Sequence, residues 1–151
     1  MPLNFYNLSP TQRILKWREL RASLTNKDEF NQLLATAEFW ADAPLQTFVL
    51  DWDQIEKWPT AWELLYEGNF DTNVVAILME QTLVLSGWDN ARFKLMYIKD
   101  TKIEAQMMTL LVDDKWILNY SLREVFDYTR IKHHCLTYIK YQILQNKRIE
   151  I

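Results

Sequence analysis

The sequence predicts an α+β domain in which helices pack on a small antiparallel sheet. Apolar residues recur at helical spacing in the N-terminal half, and the hydrophobic period changes from 3.6 to two after Trp88. Polar turns then separate several short strand patterns, so runs of helix and runs of strand occupy different parts of the chain. With 151 residues and no linker, repeat or low-complexity segment, residues 1–151 are expected to form one domain.

Two helices are predicted within residues 9–41. Ser9 and Gln12 have the spacing of a capping box, and an apolar stripe follows them at helical spacing. A second helix start is predicted at Asn26, with Glu29 at the reciprocal capping position. The apolar stripes of both helices indicate faces that pack in the core.

The most hydrophobic part of the chain is predicted to be a helix over residues 72–86. A shorter helix before it starts at Thr60, has Glu63 at the capping position and ends at Gly68. Asp71 or the residue after it caps the longer helix. Because its apolar residues cover more than one face, this helix is expected to be central and buried.

Strands are predicted over about residues 92–118 and again over 135–144. In the first region, an alternating strand is followed by a strand over 103–112 and by a short third strand. A capping pair, Ser121 and Glu124, predicts another short helix. The last segment is ambiguous, but its alternating β-branched and aromatic residues favour a strand.

Composition excludes several classes of function. The net charge of −3 and the pI near 5.4 give no electrostatic basis for binding nucleic acid or an anionic membrane. No apolar run reaches the roughly 20 residues that a spanning helix needs. A single cysteine excludes an internal disulfide and a cysteine-based zinc site of ordinary type. We therefore expect no cofactor or metal, and synthesis in the cytoplasm.

From Trp58 to Tyr120 the sequence resembles the bacterial transglutaminase-like cysteine proteinases, which have a papain-like core. The order of elements is the same: helices, a Trp-Pro-Thr turn, a central helix and then strands. In that family a Gly-Asp-Cys segment opens the core helix, an Ala-His pair lies on a strand, and an aspartate follows a later strand. The resemblance implies an α+β fold with the central helix packed on the sheet.

The resemblance places Thr72 at the nucleophile position, Gln106 at the base position and Asn119 at the acid position. A threonine hydroxyl does not ionise near neutral pH without a strong local base. The Gln106 amide has no useful basicity, and Asn119 could still form a hydrogen bond but has no imidazolium to stabilise. The resemblance therefore implies a degenerate site at these three positions, with no catalytic, cofactor-binding or metal-binding residue. The hydroxyl and the two amides are expected to form hydrogen bonds with one another in a buried cleft.

The only histidines and the only cysteine are adjacent, at His133, His134 and Cys135. Neighbouring side chains on a strand or helix point apart, so His134 and Cys135 are expected to form a poor dyad. Cys135 and His133 would share one strand face, but the sequence indicates no acid beside them. A structural cysteine beside solvent-facing imidazoles is favoured.

Other acidic residues are weaker candidates. Asp51 and Asp53 could bind a hard cation, but they do not complete a calcium-loop pattern, and a solvated loop is favoured. For a hydrolase with an unrecognised site, the remaining titratable candidates are Glu63, Asp71, Glu104 and His134.

The sequence thus predicts a non-catalytic structural or interaction protein rather than an enzyme. More specifically, we predict a virion component of a tailed bacteriophage (neck, baseplate or tail-associated), with other proteins of a larger assembly as partners. Seven tryptophans suggest that some lie on a contact surface. The alternatives are a regulatory module that binds a peptide or partner, and a hydrolase or transferase with an unrecognised site.

Overall fold

A computed structural model describes residues 7–43 and 54–151. In these ranges, four α-helices precede a six-stranded sheet. The helices are α1 (Pro10–Leu24), α2 (Glu29–Trp40), α3 (Ala61–Glu67) and α4 (Thr72–Leu85). The strands are β1 (Phe93–Asp100), β2 (Ala105–Val112), β3 (Trp116–Leu118), β4 (Phe126–Asp127), β5 (Cys135–Leu144) and β6 (Lys147–Glu150). All neighbours are antiparallel, in the order β4-β3-β2-β1-β5-β6.

Helix α4 is the centre of the molecule. Asp71 begins it as the N-cap, accepting hydrogen bonds from the amides of Asn73 (3.0 Å) and Val74 (2.9 Å). Nine of its fourteen residues are buried, because it lies between β2 and helix α2. The predicted α+β architecture, with a central buried helix packed on an antiparallel sheet, is confirmed.

Two buried tryptophans join the outer helices to α4 through one hydroxyl. The indole nitrogens of Trp17 in α1 and Trp40 in α2 donate to Thr82 Oγ1, at 2.8 and 3.1 Å. Among the six described tryptophans only Trp62 is exposed. The aromatic content expected on a contact surface is therefore mostly in the core of the described part.

Side chains on the two faces of the sheet have different neighbours. One face, here called the helix face, packs under α4 with residues such as Leu95 and Met108. The opposite face, here called the outer face, has a second and smaller apolar cluster. Its buried members are Met96, Ile98, Leu111, Ile117 and Ile131; Met107, Tyr120, Phe126, Tyr128 and Cys135 pack against them.

The last strand is joined to α4 by a buried ion pair. The Arg148 guanidinium of β6 donates to both Glu80 carboxylate oxygens, at 2.6 and 3.1 Å. The Glu80 side chain is 1% exposed and that of Arg148 13%. The pair therefore fixes the sheet edge against the helix layer.

Two local predictions are wrong. Asp28, not Asn26, caps α2, because its carboxylate accepts from the amide of Asn31 at 2.8 Å. Residues 121–124 form a turn that leads into β4 instead of a helix.

No helix in the described ranges is long and apolar enough to cross a membrane.

Candidate active site

A histidine, a cysteine and an aspartate meet on the outer face of the sheet. Asp100 ends β1 and Cys135 begins β5, and the β1–β5 register places these two residues opposite each other. His134 precedes Cys135. One possible ligand atom from each side chain lies within 4.8 Å of the other two. His134 and Cys135 are adjacent in sequence, whereas Asp100 lies 34 positions before His134. Antiparallel pairing of β1 with β5 therefore brings the three groups together.

Asp100 is fully buried, and several donors hold its carboxylate. Oδ1 accepts from the backbone amides of Lys102 (2.9 Å) and Ile103 (3.4 Å), which close the turn after β1. Oδ2 accepts from the Tyr120 hydroxyl. Burial by itself raises the pKa of Asp100, but these hydrogen bonds and that of His134 outweigh it and hold the pKa below its ordinary value. The group is therefore a carboxylate at neutral pH.

His134 is oriented by this carboxylate. Its Nδ1 atom lies 3.1 Å from Asp100 Oδ1, and its side chain is 17% exposed. The His134 carbonyl accepts from both the amide and the hydroxyl of Thr101, each at 2.8 Å, which fixes the backbone beside Asp100. Because a carboxylate can only accept, Nδ1 must carry the proton of this hydrogen bond. In the neutral imidazole, Nε2 is then the basic atom.

The Cys135 thiol is protonated at rest. Burial, and then the negative charge of Asp100, raise its pKa above the ordinary value. Cys135 is only partly buried, and it packs at the margin of the outer apolar cluster. A thiol in this environment needs a base that removes its proton during attack, and the nearby His134 is a group of that kind.

The same three groups are of the types that bind zinc. Their hydrogen bonds fit a different arrangement better. Asp100 Oδ1 already accepts three hydrogen bonds and Oδ2 accepts one, so the carboxylate is satisfied by donors of the chain. An acid that orients a histidine, which in turn lies near a cysteine, is the arrangement of nucleophilic catalysis.

The three positions singled out by the family resemblance lie outside this cluster: Thr72 begins α4, Asn119 follows β3, and Gln106 lies on β2. The Asn119 amide donates to the backbone carbonyls of Thr72 (2.7 Å) and Met108 (2.9 Å). Gln106 is exposed and accepts from the Tyr97 hydroxyl at 3.2 Å. The expected mutual network of side chains is therefore replaced by bonds to backbone carbonyls and to Tyr97. That these positions have no catalytic role stays a prediction.

The other acidic candidates have structural roles where they are described. Glu63 completes the capping box of α3, and Glu104 forms an ion pair with Lys99 at 3.1 Å. Asp71 caps α4, and its burial raises its pKa. Asp51 and Asp53 lie outside the described residues.

The architecture defined above is the transglutaminase-like fold. The solved structures to which the chain is similar include three of LapG from Legionella pneumophila. One is 18% identical, with a TM-score of 0.70, and covers 87% of this chain and 73% of LapG. The calcium-bound form is 17% identical, with a TM-score of 0.72, and covers 96% and 81%. The EGTA-treated form is 18% identical, with a TM-score of 0.70, and covers 87% of this chain and 73% of LapG. At this identity the likeness establishes the fold alone. No protein-family model and no curated protein sequence matches the chain.

The prediction that the chain is not an enzyme is contradicted. LapG is a cysteine protease of this fold, and a cysteine, a histidine and an aspartate lie close together here, as a catalytic site requires. The premise that neighbouring side chains point apart was wrong because His134 ends a 3₁₀ turn (Lys132–His134), and the strand starts only at Cys135. Asp100 was missed because the pairing of β1 with β5 is not visible in one sequence.

Proposed function

We propose that the chain is a cysteine-dependent acyl-transfer enzyme, a hydrolase or transferase of amides or esters. In this proposal Cys135 is the nucleophile, His134 the general base and Asp100 the residue that orients the histidine. The observation that supports it most is the 3.1 Å contact between Asp100 Oδ1 and His134 Nδ1, with the Cys135 thiol in the same cluster. The transglutaminase-like fold is compatible with this chemistry, although the cluster is on the opposite side of the sheet from the family's positions.

The chemical steps follow from the protonation of each group. The Cys135 sulfur attacks the carbonyl carbon of the substrate as its proton passes to His134 Nε2. The tetrahedral intermediate collapses, the C–N or C–O bond to the leaving group breaks, and His134 returns the proton to the departing amine or alcohol. Water or a second amine then attacks the thioester carbonyl as its proton passes to His134. The C–S bond breaks, the acyl product leaves, and His134 returns the proton to the sulfur, which regenerates the thiol.

Asp100 supports the charge that appears on His134. Its carboxylate stays ionised while the imidazole becomes an imidazolium, and the hydrogen bond to Nδ1 strengthens as that charge forms. Because Asp100 is fully buried, no water competes for this bond. The same negative charge disfavours a resting thiolate on Cys135, so proton transfer accompanies the attack instead of preceding it.

Turnover of activated esters and of a peptide mixture tests the proposal. We expect hydrolysis by the unmodified chain and none by the Cys135→Ala variant. Thr72→Ala is the matched control, because the exposed Thr72 side chain lies at the family's nucleophile position but outside the cluster. Equal turnover by Cys135→Ala, or the absence of any turnover that depends on the thiol, would contradict the proposal.

Protein binding is a second candidate function. A cavity of about 670 Å³ lies between α3, α4 and the β5–β6 hairpin, and it is lined by exposed Trp62, Leu85 and Ile149 among others. Apolar, partly open surfaces of this kind fit a peptide or a partner protein. Binding to immobilised peptides, compared with a Trp62→Ala variant, tests this role. The finer interpretations, a bacteriophage origin, a place in a virion and synthesis in the cytoplasm, have no supporting observation and stay predictions.

A further inference from the structure

We infer that Tyr120 is a positioning residue for this site, which holds Asp100 so that His134 keeps Nδ1 on the carboxylate and Nε2 stays free to act as the base. The inference rests on the proposed function of Cys135, and it assigns a role to a side chain outside the nucleophile, base and acid.

The hydrogen bonds of Asp100 divide between its two oxygens. Oδ1 accepts the turn amides and the imidazole, whereas the bond to Oδ2 comes from the Tyr120 hydroxyl. A carboxylate held at one oxygen can rotate about the bond to its Cβ atom. Held at both, it keeps Oδ1 directed at His134 Nδ1. The Tyr120 hydroxyl thus adds, at Oδ2, a contact that this rotation would have to break.

Tyr120 reaches the outer face because of the residue before it. Alternation along β3 places Ile117 on the outer face and Leu118 on the helix face, so Asn119 would next point outward. Instead, Asn119 has a left-handed backbone, with φ of 63°, a conformation that asparagine tolerates well. Its side chain turns to the helix face, where it bonds to Thr72 and Met108, and Tyr120 turns to Asp100.

The packing of Tyr120 agrees with a fixed donor. Its ring lies edge-on to Phe126, with centroids 5.4 Å apart and an interplanar angle of 74°, and both rings pack on the outer cluster. Burial, and then the hydrogen bond to Asp100, raise the pKa of the Tyr120 hydroxyl, so it is a donor at neutral pH. A tyrosine that served packing alone would place its hydroxyl in solvent or on any nearby acceptor.

Histidine NMR offers a direct readout because the chain has only two histidines. Selective ¹⁵N-histidine labelling gives two imidazole spin systems, and a His133→Gln variant assigns them. In the unmodified chain we expect the neutral form of His134 to be the tautomer protonated at Nδ1. In Tyr120→Phe we expect the population of this tautomer to fall, and the rate of Cys135 alkylation by iodoacetamide at pH 7 to fall about tenfold.

Tyr128→Phe is the matched control. Tyr128 packs on the same outer cluster, and the same single hydroxyl is removed there without a bond to Asp100. It should leave the His134 tautomer and the alkylation rate unchanged. Equal effects of the two variants, or no effect of Tyr120→Phe, would overturn the inference.

Failure of the positioning role of Tyr120 and failure of the proposed function can be distinguished. If Tyr120→Phe does not fold, the unmodified chain still tests the inference, since an Nε2-protonated His134 in that chain contradicts it. If His134 has the expected tautomer and responds to Tyr120→Phe but no substrate turns over, the positioning role stands and the proposed function fails. If turnover depends on Cys135 but the His134 tautomer does not respond to Tyr120→Phe, the proposed function stands and the positioning role fails.

Discussion

Asp100 and Cys135 lie opposite each other in the β1–β5 ladder, on the face of the sheet that α4 does not cover. The N-terminus of α4, where the family resemblance places its nucleophile, packs against the other face through Asn119 and Met108. The fold therefore has two separate places at which chemistry can be tested, and single variants distinguish them.

The first prediction concerns the helix-face position. The double variant Thr72→Cys/Cys135→Ala moves the only thiol to the N-terminus of α4. We expect no thiol-dependent ester turnover, because the Asn119 amide there cannot remove a proton and the adjacent Asp71 carboxylate is engaged as the cap of α4. Recovery of turnover, measured beside Cys135→Ala alone, would show that the helix-face position can catalyse the reaction.

The second prediction is the pH dependence of stability. The pKa of Asp100 is lowered in the folded state, so its contribution to the unfolding free energy is fully present above its unfolded pKa of about 3.9. That contribution is lost as the pH falls from about 5 through the lower folded pKa. Urea unfolding between pH 7 and pH 2 measures it.

Asp100→Asn supplies the comparison for this titration. It should be less stable at pH 7, because the amide nitrogen of an asparagine cannot accept the hydrogen bonds that a carboxylate oxygen accepts here. Its stability should also decrease less on acidification. A parallel decrease in both proteins would show that other carboxyls dominate the acid transition.

The third prediction concerns Thr82. Thr82→Val keeps the shape but removes the acceptor of two buried indoles, Trp17 and Trp40. We expect a loss of about 2 kcal/mol or more in unfolding free energy, since each buried donor without its acceptor costs about 1–3 kcal/mol. The control is Thr36→Val, because the Thr36 hydroxyl is equally buried but bonds only within its own helix. Similar losses in both variants would refute the bridging role of Thr82.

The fourth prediction concerns the buried ion pair between α4 and β6. Arg148→Met leaves Glu80 buried without its partner, which is expected to cost about 3–5 kcal/mol in unfolding free energy. The double variant Glu80→Leu/Arg148→Met should recover most of that loss, because apolar pairs of similar volume replace such ion pairs well. A double variant as unstable as Arg148→Met would indicate that packing, and not the uncompensated charge, dominates.

The sequence contained clear local signals for most elements and little information about long-range pairing. Three helices begin at the capping residues that the sequence predicts, Ser9, Thr60 and Asp71. Helix α3 ends, as predicted, at Gly68, which has a left-handed backbone. The grouping of Asp100, His134 and Cys135 could not be predicted, because it depends on the β1–β5 register. The contact of Tyr120 with Asp100 depends in addition on the left-handed Asn119, which reverses the direction of the Tyr120 side chain. A residue that breaks strand alternation cannot be recognised before the strand partners are known.

The formation of an acyl-enzyme tests the central claim most directly. Intact mass and peptide mapping after brief exposure to p-nitrophenyl acetate should show one acetyl group, attached to Cys135. Its rate of formation should fall about a hundredfold or more in His134→Gln, because the thiol loses its general base. Acetylation of another residue, or a rate that His134→Gln leaves unchanged, would contradict the account.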